Sequence, residues 1–104
     1  MKLSMIRDKY QNKAKKSGSL FLLRATDSIR FITDCISAGY HLCGLEGFLI
    51  TSDGAYQPQQ EHSNDIADTT LDHDAFVEAT RRFLRSREDK EIWFEVVFSE
   101  SDDT

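Results

Sequence analysis

Apolar residues in the first half of the chain follow helical spacing and then strand spacing. A helix is expected to begin at Thr26 or Asp27, because either side chain can cap an N terminus. It should end at Gly39, where glycine readily adopts the left-handed conformation that closes a helix. The positions predicted for its buried stripe are Ile29, Ile32, Cys35 and Ile36.

Residues 40–51 predict one or two strands that are apolar on both faces. Leu42, Phe48 and Ile50 would share one face, and Cys43, Leu45 and Leu49 the other, an arrangement typical of a strand inside a sheet. Residues 52–54 form a turn signal that would reverse the chain. The apolar run at residues 20–23 is too short to distinguish a strand from a helix.

The second half predicts a polar connection, a helix and a last strand. Residues 59–70 are polar and acidic and are expected to form a long loop. Asp72 is placed to cap a helix whose apolar stripe contains Phe76, Ala79, Phe83 and Leu84. Strict alternation then predicts a strand over residues 92–98.

These elements predict one α+β domain spanning residues 1–104, with a small, mainly antiparallel sheet and helices packed on it. Residues 1–18 are polar and basic, and we expect them to form a peripheral helix. Residues 99–104 are expected to be a disordered acidic tail. The predicted core includes Phe31, Ile32, Phe48, Phe83 and Phe94.

Charge is divided unevenly along the chain, whose net charge is −5. Residues 1–30 contain eight Lys or Arg and two Asp, for a net charge of +6. The remaining residues carry −11, and between Arg30 and Arg81 there are nine acids and no Lys or Arg. A field of one sign over that length favours a basic binding partner, and the overall charge disfavours nucleic acid.

No pattern specific to catalysis or to a cofactor is present. His41, His62 and His73 lack metal-ligand spacing, and Cys35 and Cys43 lack the CxxC arrangement. Gly44 and Gly47 do not form a phosphate-binding loop. We therefore expect no enzymatic activity, no catalytic residue, no metal and no cofactor. The short apolar runs also predict a cytoplasmic protein without a membrane segment.

Glu46 stands where the strand pattern calls for an apolar residue, between Gly44 and Gly47. Two interpretations remain open. A β-bulge could turn this side chain to solvent, or the carboxylate could enter a cationic pocket of a partner.

Residues 27–63 together resemble a known family. The features that carry the resemblance are the helix before Gly39-Tyr40, the Gly44-Leu45-Glu46-Gly47-Phe48 strand, the Asp53-Gly54 turn, and the Gln57-Pro58 and Glu61-His62-Ser63 segments that follow. They are similar to small immunity proteins that bacteria make against colicin-type and contact-delivered toxins, including the immunity partner of the tRNA-anticodon-cleaving colicin. The resemblance covers about a third of the chain. This chain departs from the family pattern in its basic N-terminal extension and its longer middle connection.

The resemblance implies a protein that neutralises a cognate toxin, with a nuclease expected, by occluding its basic cleft in a 1:1 complex. By position, Glu46 corresponds to the family's strand acid. The charge pattern adds the rest of the predicted partner-binding surface, which comprises Glu46, Asp53, Tyr56, Glu61, Asp65 and Asp68. The alternatives are a regulatory or adaptor module and, third, a small hydrolase that uses His62 with Glu61 or Asp65.

Overall fold

The computed structural model describes residues 2–99, which form one five-stranded antiparallel sheet with helices packed on it. The strand order is β1-β2-β5-β3-β4, so β5 is central and β1 and β4 are the edges. The predicted α+β class is confirmed. The elements are α1 (Leu3–Asp8), β1 (Lys15–Ser17), β2 (Leu20–Arg24), α2 (Ala25–Ser37), β3 (Leu42–Ile50), β4 (Tyr56–Asp65), a 3-10 turn (Ile66–Asp68), α3 (His73–Arg85) and β5 (Trp93–Phe98).

The C-terminal end of α2 and the start of α3 follow their local signals, but the predicted N-cap of α2 at Thr26 or Asp27 was wrong. Helix α2 begins at Ala25, directly after β2, and no side chain caps it; Thr26 instead donates a hydrogen bond to the Glu88 carboxylate. Gly39, just past its end, has a φ of 95° as expected for a helix-terminating glycine. Asp72 caps α3, where its carboxylate accepts a hydrogen bond from the Ala75 amide at 2.8 Å.

The core lies between the helices and one face of the sheet. Phe94 on the central strand is fully buried and belongs to the same cluster as Phe31 and Ile32 of α2 and Phe76 of α3. Phe83 is half-buried and packs against this cluster. Three of the five predicted core residues therefore belong to this cluster, Phe83 lies at its margin, and Phe48 is buried outside it. The cluster also includes Val96 and Phe98, which alternate with Phe94 along β5.

The predicted faces of β3 were wrong at Leu42, whereas Phe48 and Ile50 share one face and Leu45 lies on the other, as expected. Leu42 and Leu45 both belong to the helix-facing cluster although they are three residues apart. A register shift between Leu42 and Gly44 against β5 explains this, because an irregularity changes which side chains share a face. Phe48 is buried but pairs with Trp93, on the face away from α2 and α3.

The prediction of a loop at residues 59–70 was also wrong for more than half of that segment. Strand β4 continues through Pro58 to Asp65. An edge strand needs partners on one side only, so it tolerates both the proline and the polar composition that argued for a loop.

The N-terminal segment is more firmly attached than the expected peripheral helix. Its helix spans only Leu3–Asp8, and Lys15–Ser17 form an edge strand. Ile6 is 1% exposed and belongs to the core cluster. The Tyr10 hydroxyl donates a 2.6 Å hydrogen bond to Asp34 of α2. A few well-placed apolar residues therefore dock a segment that is polar on average.

The expected acidic tail falls mostly on residues 100–104, which lie outside the described residues. Ser99 is described, and its amide donates a 2.9 Å hydrogen bond to the His41 carbonyl. One residue that the sequence assigned to the tail therefore makes a backbone hydrogen bond just past the end of β5.

We predict that Ile6→Ala destabilises the protein by about 2–5 kcal/mol, because it leaves a cavity in the core. Met5, the neighbouring residue, is 54% exposed and provides the control. Met5→Ala should change the free energy of unfolding by no more than about 0.5 kcal/mol in urea titrations. Equal effects of the two substitutions would contradict the docking of α1 through Ile6.

Candidate functional site

One face of the sheet is not covered by α2 or α3. Side chains alternate along β5, so Trp93, Glu95 and Val97 point away from the core that holds Phe94. Val97 is 42% exposed, and Trp93 and Glu95 are half-buried. We call this side of the sheet the uncovered face. The face includes buried side chains as well as exposed ones, since Leu22 pairs with Glu95 and Phe48 pairs with Trp93 and both are buried.

Strand register places two carboxylates side by side on the uncovered face. Glu46 of β3 lies directly opposite Glu95 of β5. Like charges in directly opposed positions are unfavourable in a sheet. Glu46 is exposed and Glu95 is half-buried, so this pair is open to a partner.

A large bulge in β4 lies beside Glu46. Leu45 pairs with Asn64 and Gly47 pairs with Gln59, so Glu46 alone faces residues 60–63 of β4. The Ser63 hydroxyl fills the gap in the ladder: it accepts a 3.1 Å hydrogen bond from the Gly47 amide and donates to the Gln59 carbonyl at 2.9 Å. A bulge lies beside Gly47, as one of the two interpretations of Glu46 expected, but its extra residues are on β4. Glu46 is exposed because regular alternation along β3 places it on the uncovered face, opposite Glu95.

Glycine at position 47 is required by the close approach of the bulge. A Cβ built on Gly47 would lie 2.7 Å from both the Cβ and the carbonyl oxygen of His62. No side chain fits within these distances, so β4 can pack this closely against β3 only because Gly47 has no Cβ atom.

Arg87 ties the bulge to the end of α3. Its Nε donates a 2.8 Å hydrogen bond to His62 Nδ1, and its guanidinium also donates to the carbonyl oxygens of Glu61 and Phe83. The guanidinium carbon lies 3.6 Å from the centre of the Phe83 ring. This part of the basic cluster at residues 81–87 therefore has a structural use.

The bulge borders a cavity of about 490 Å³ on the acidic part of the uncovered face. Glu46 and Asp65 both line it, and Val97 supplies an apolar wall. The side-chain oxygen of Asn64, another lining residue, is buried and accepts no hydrogen bond from any residue between positions 2 and 99. The remaining lining residues are Gly44, Leu45, Pro58, Gln60 and Ser63.

The carboxylates at this cavity are not neutralised within the described residues. Across residues 2–99 the ion pairs join Lys13 to Asp27 and Glu78 to Arg81, and neither involves Glu46, Asp65 or Glu95. Glu61 lies 4.0 Å from the ring of His62, whose Nδ1 accepts a hydrogen bond from Arg87. Partial burial, and next the charge of Glu46, raise the pKa of Glu95, while Arg7 opposes the shift. We call Glu46, Asp65 and Glu95 the acidic patch.

The six residues predicted from sequence do not all belong to this patch. Glu46 and Asp65 meet at the cavity, and Tyr56 lies on β4 opposite Ile50, half-buried. Glu61 is exposed within the bulge. Asp68 ends the 3-10 turn, and its side chain lies outside the described part of the structure.

Asp53 lies apart from the patch, in the turn between β3 and β4. Its carboxylate accepts a hydrogen bond from the Thr51 hydroxyl, and this contact, with help from backbone amides, lowers the pKa of Asp53. The charge pattern grouped Asp53 with Glu46 because the two residues are close in sequence. Strand geometry separates them, since Glu46 lies near the middle of β3.

Sequence reasoning did not identify Glu95 or the polar residues of the bulge. The alternation of residues 92–98 did contain the signal for Glu95, because it put this acid on the face opposite Phe94. The sequence contained no comparable signal for which strand lies next to β5. The Glu46–Glu95 pair therefore emerges only from the sheet order.

The opposite half of the uncovered face is basic. Arg24 of β2 lies opposite Trp93, and its guanidinium carbon is 5.6 Å from a Trp93 ring centre. The Lys15 ammonium of β1 lies 5.5 Å from a Trp93 ring centre. Trp93 therefore separates two cations from the acidic patch.

The histidines and cysteines are dispersed. His73 Nε2 accepts a 2.9 Å hydrogen bond from the Leu42 amide, and its ring contacts that of His41. Burial raises the pKa of the Cys35 thiol to about 12. Within residues 2–99, no three His, Cys, Asp or Glu side chains are grouped as metal ligands would be.

No protein-family model, curated protein or solved structure significantly matches this chain. The resemblance to immunity proteins therefore stays a prediction. None of the helices formed by the described residues is long and apolar enough to span a membrane.

We predict that Gly47→Ala destabilises the protein by about 1–3 kcal/mol, because the new methyl group must displace His62. Gly44→Ala is the control on the same strand, where the nearest atom to the added carbon is 3.0 Å away. Denaturant unfolding of both variants should show the larger loss for Gly47→Ala. A larger loss for Gly44→Ala would show that the contact at His62 relaxes freely.

We predict that Glu95→Gln is more stable than the wild type at pH 7. Because the folded state raises the pKa of Glu95, the ionised carboxylate costs stability at pH values above the ordinary glutamate pKa. Below about pH 4 the group is protonated in both the folded and unfolded states, and the advantage should vanish. Unfolding measured at about pH 3.5 and pH 7 tests this, with the exposed Glu91→Gln as the control. A pH-independent difference would contradict it.

Proposed function

We propose that this protein is a non-catalytic inhibitor that binds a basic macromolecule through the acidic patch on its uncovered sheet face. The observation that carries the proposal is the opposition of Glu46 and Glu95 beside Asp65, without an ion pair to any of them among residues 2–99. A partner's Lys or Arg would relieve the repulsion between these acids. The unfavourable charge arrangement of the free protein would then become favourable in the complex.

The partner class that we favour is a bacterial nuclease toxin, with this chain acting as its immunity protein in the cytoplasm. A nuclease binds a phosphate backbone in a cationic cleft, and a row of carboxylates suits the same cleft. The resemblance in residues 27–63 supports this class. The shape of the patch adds support, because Glu46 and Asp65 border a concave surface with an apolar wall at Val97.

Rigidity of the patch would favour tight binding. Glu46 lies on an internal strand, and the neighbouring bulge is held by Ser63 and by the Arg87 contacts to α3. A surface that is already ordered loses little conformational entropy when a partner binds. The acids around it would attract a basic toxin from a distance and raise the association rate at low ionic strength.

An adaptor that binds a basic protein in normal physiology is the second candidate, and the same patch would serve it. Genetic context separates the two, since an immunity gene adjoins the gene for its toxin. The hydrolase alternative loses support from the contacts of His62, because Nδ1 of this ring already accepts a hydrogen bond from Arg87.

We predict that Glu46→Lys weakens binding to the nuclease encoded by the adjoining gene by two or more orders of magnitude, about 3 kcal/mol or more. The substitution places a cation against the toxin's basic cleft. The matched control is Asp53→Lys, which makes the same charge change in the turn at the end of β3. It should mainly slow association, and raising the ionic strength should largely remove its effect.

Binding of both variants and the wild type should be followed by surface plasmon resonance at low and high ionic strength. Equal losses for the two variants would mean that only net charge matters. Wild-type affinity in Glu46→Lys, together with loss of binding in Arg82→Glu, would place the interface on α3 instead.

A further inference from the structure

The uncovered face is divided into a basic and an acidic half about the central strand. Lys15 and Arg24 lie on the side of β1 and β2, whereas Glu46 and Asp65 lie on the side of β3 and β4. Trp93 and Val97 lie between them on β5. Such a surface is complementary to itself when it is turned over about the boundary between β2 and β5, because Lys15 on β1 and Glu46 on β3 lie equally far from that boundary.

We propose that a second copy of this chain covers the uncovered face, forming a homodimer of two stacked sheets. The two-fold axis would lie between the sheets and run nearly parallel to β5. Each copy would then place its β1–β2 side over the β3–β4 side of the other. In such an isologous contact every residue pair occurs twice, so each favourable pair contributes twice to the binding free energy.

The strand register places the opposing charges at matching heights along the axis. Lys15 pairs with Leu22, Leu22 with Glu95, and Glu95 with Glu46, so all four form one row across the sheet. Rotation about an axis parallel to β5 keeps this row at the same height. The Lys15 end of one row therefore approaches the Glu46 end of the other, with Arg24 two residues along β2 from Leu22.

Apolar and aromatic groups occupy the centre of this contact. Val97 is exposed, and Trp93 presents a half-buried ring beside its two cations. Stacked sheets bury their facing side chains about 10 Å apart, which brings these groups of both copies together.

Association along the sheet edges is less favourable than association through the face. Edge strand β1 has three residues, two of which are Lys15 and Lys16. The other edge, β4, contains Pro58 and the bulge at residues 60–63. Short, charged and irregular edges resist strand addition. The uncovered face is the remaining large sheet surface for self-association.

The test is sedimentation equilibrium of the full chain by itself, at ionic strengths of about 0.01 M and 1 M. These give Debye lengths of about 30 Å and 3 Å. We expect a dimer that dissociates more readily at the higher ionic strength. The dimer would bury the acidic patch, so it would have to dissociate before the proposed partner could bind there. A monomer at low ionic strength throughout the micromolar range would overturn the dimer proposal and leave the proposed inhibitory function untouched.

Charge reversals identify the surface. Lys15→Glu and Glu46→Lys should each raise the dissociation constant of the dimer by about tenfold or more, because each creates two like-charge pairs. The control is Lys16→Glu, which changes the net charge as Lys15→Glu does, although Lys16 pairs with Phe21 and points to the opposite side of the sheet. Equal effects of Lys15→Glu and Lys16→Glu would overturn the proposed face.

Mixing the two weakened variants provides the decisive experiment. A heterodimer of Lys15→Glu with Glu46→Lys restores opposite charges in both symmetry-related pairs. The mixture should therefore regain a dimer at concentrations where each variant alone is monomeric. Failure of the mixture to associate, with both variants folded by circular dichroism, would contradict the proposed pairing.

Discussion

The alternation of side chains along β5 is the constraint on which the rest of the structure depends. This strand is central in the sheet, and its Phe94, Val96 and Phe98 side chains join the core with α2 and α3. The intervening side chains must then point the other way. Helices α2 and α3 therefore pack on one face of the sheet, and Trp93, Glu95 and Val97 lie on the other face. The candidate site is a consequence of this two-layer arrangement.

The acidic patch combines electrostatic cost with mechanical support. Two opposed glutamates and the nearby Asp65 make the uncovered face less stable than a neutral surface would be. The surrounding structure supplies the compensation, since Ser63, Gly47 and Arg87 hold the bulge that shapes the cavity. A cation of a binding partner would relieve the repulsion between the acids, and this relief would contribute to the binding affinity. A strained arrangement of charge held by a firm scaffold is typical of a recognition surface.

The sequence predicted the class of fold, both long helices and the last strand, because each has a strong local signal. Asp72 and Gly39 mark helix ends through their own backbone and side-chain preferences. It predicted less well where a segment depends on its neighbours. Ile6 enters the core although its segment is polar, and residues 59–65 form an edge strand although their composition is typical of a loop. Hydrogen bonds to β3 outweigh local propensity there.

The candidate site shows the same division. Sequence alone determined that acids dominate the middle of the chain and that Glu46 interrupts an apolar strand. Only the tertiary structure decided that Glu95 lies beside Glu46 and that Asp53 does not, because the order of strands sets which distant residues become neighbours. It also decided that Arg24 and Lys15 share a face with these acids. Charge along the chain is a property of sequence, whereas charge on a surface depends on strand register and pairing, which long-range contacts determine.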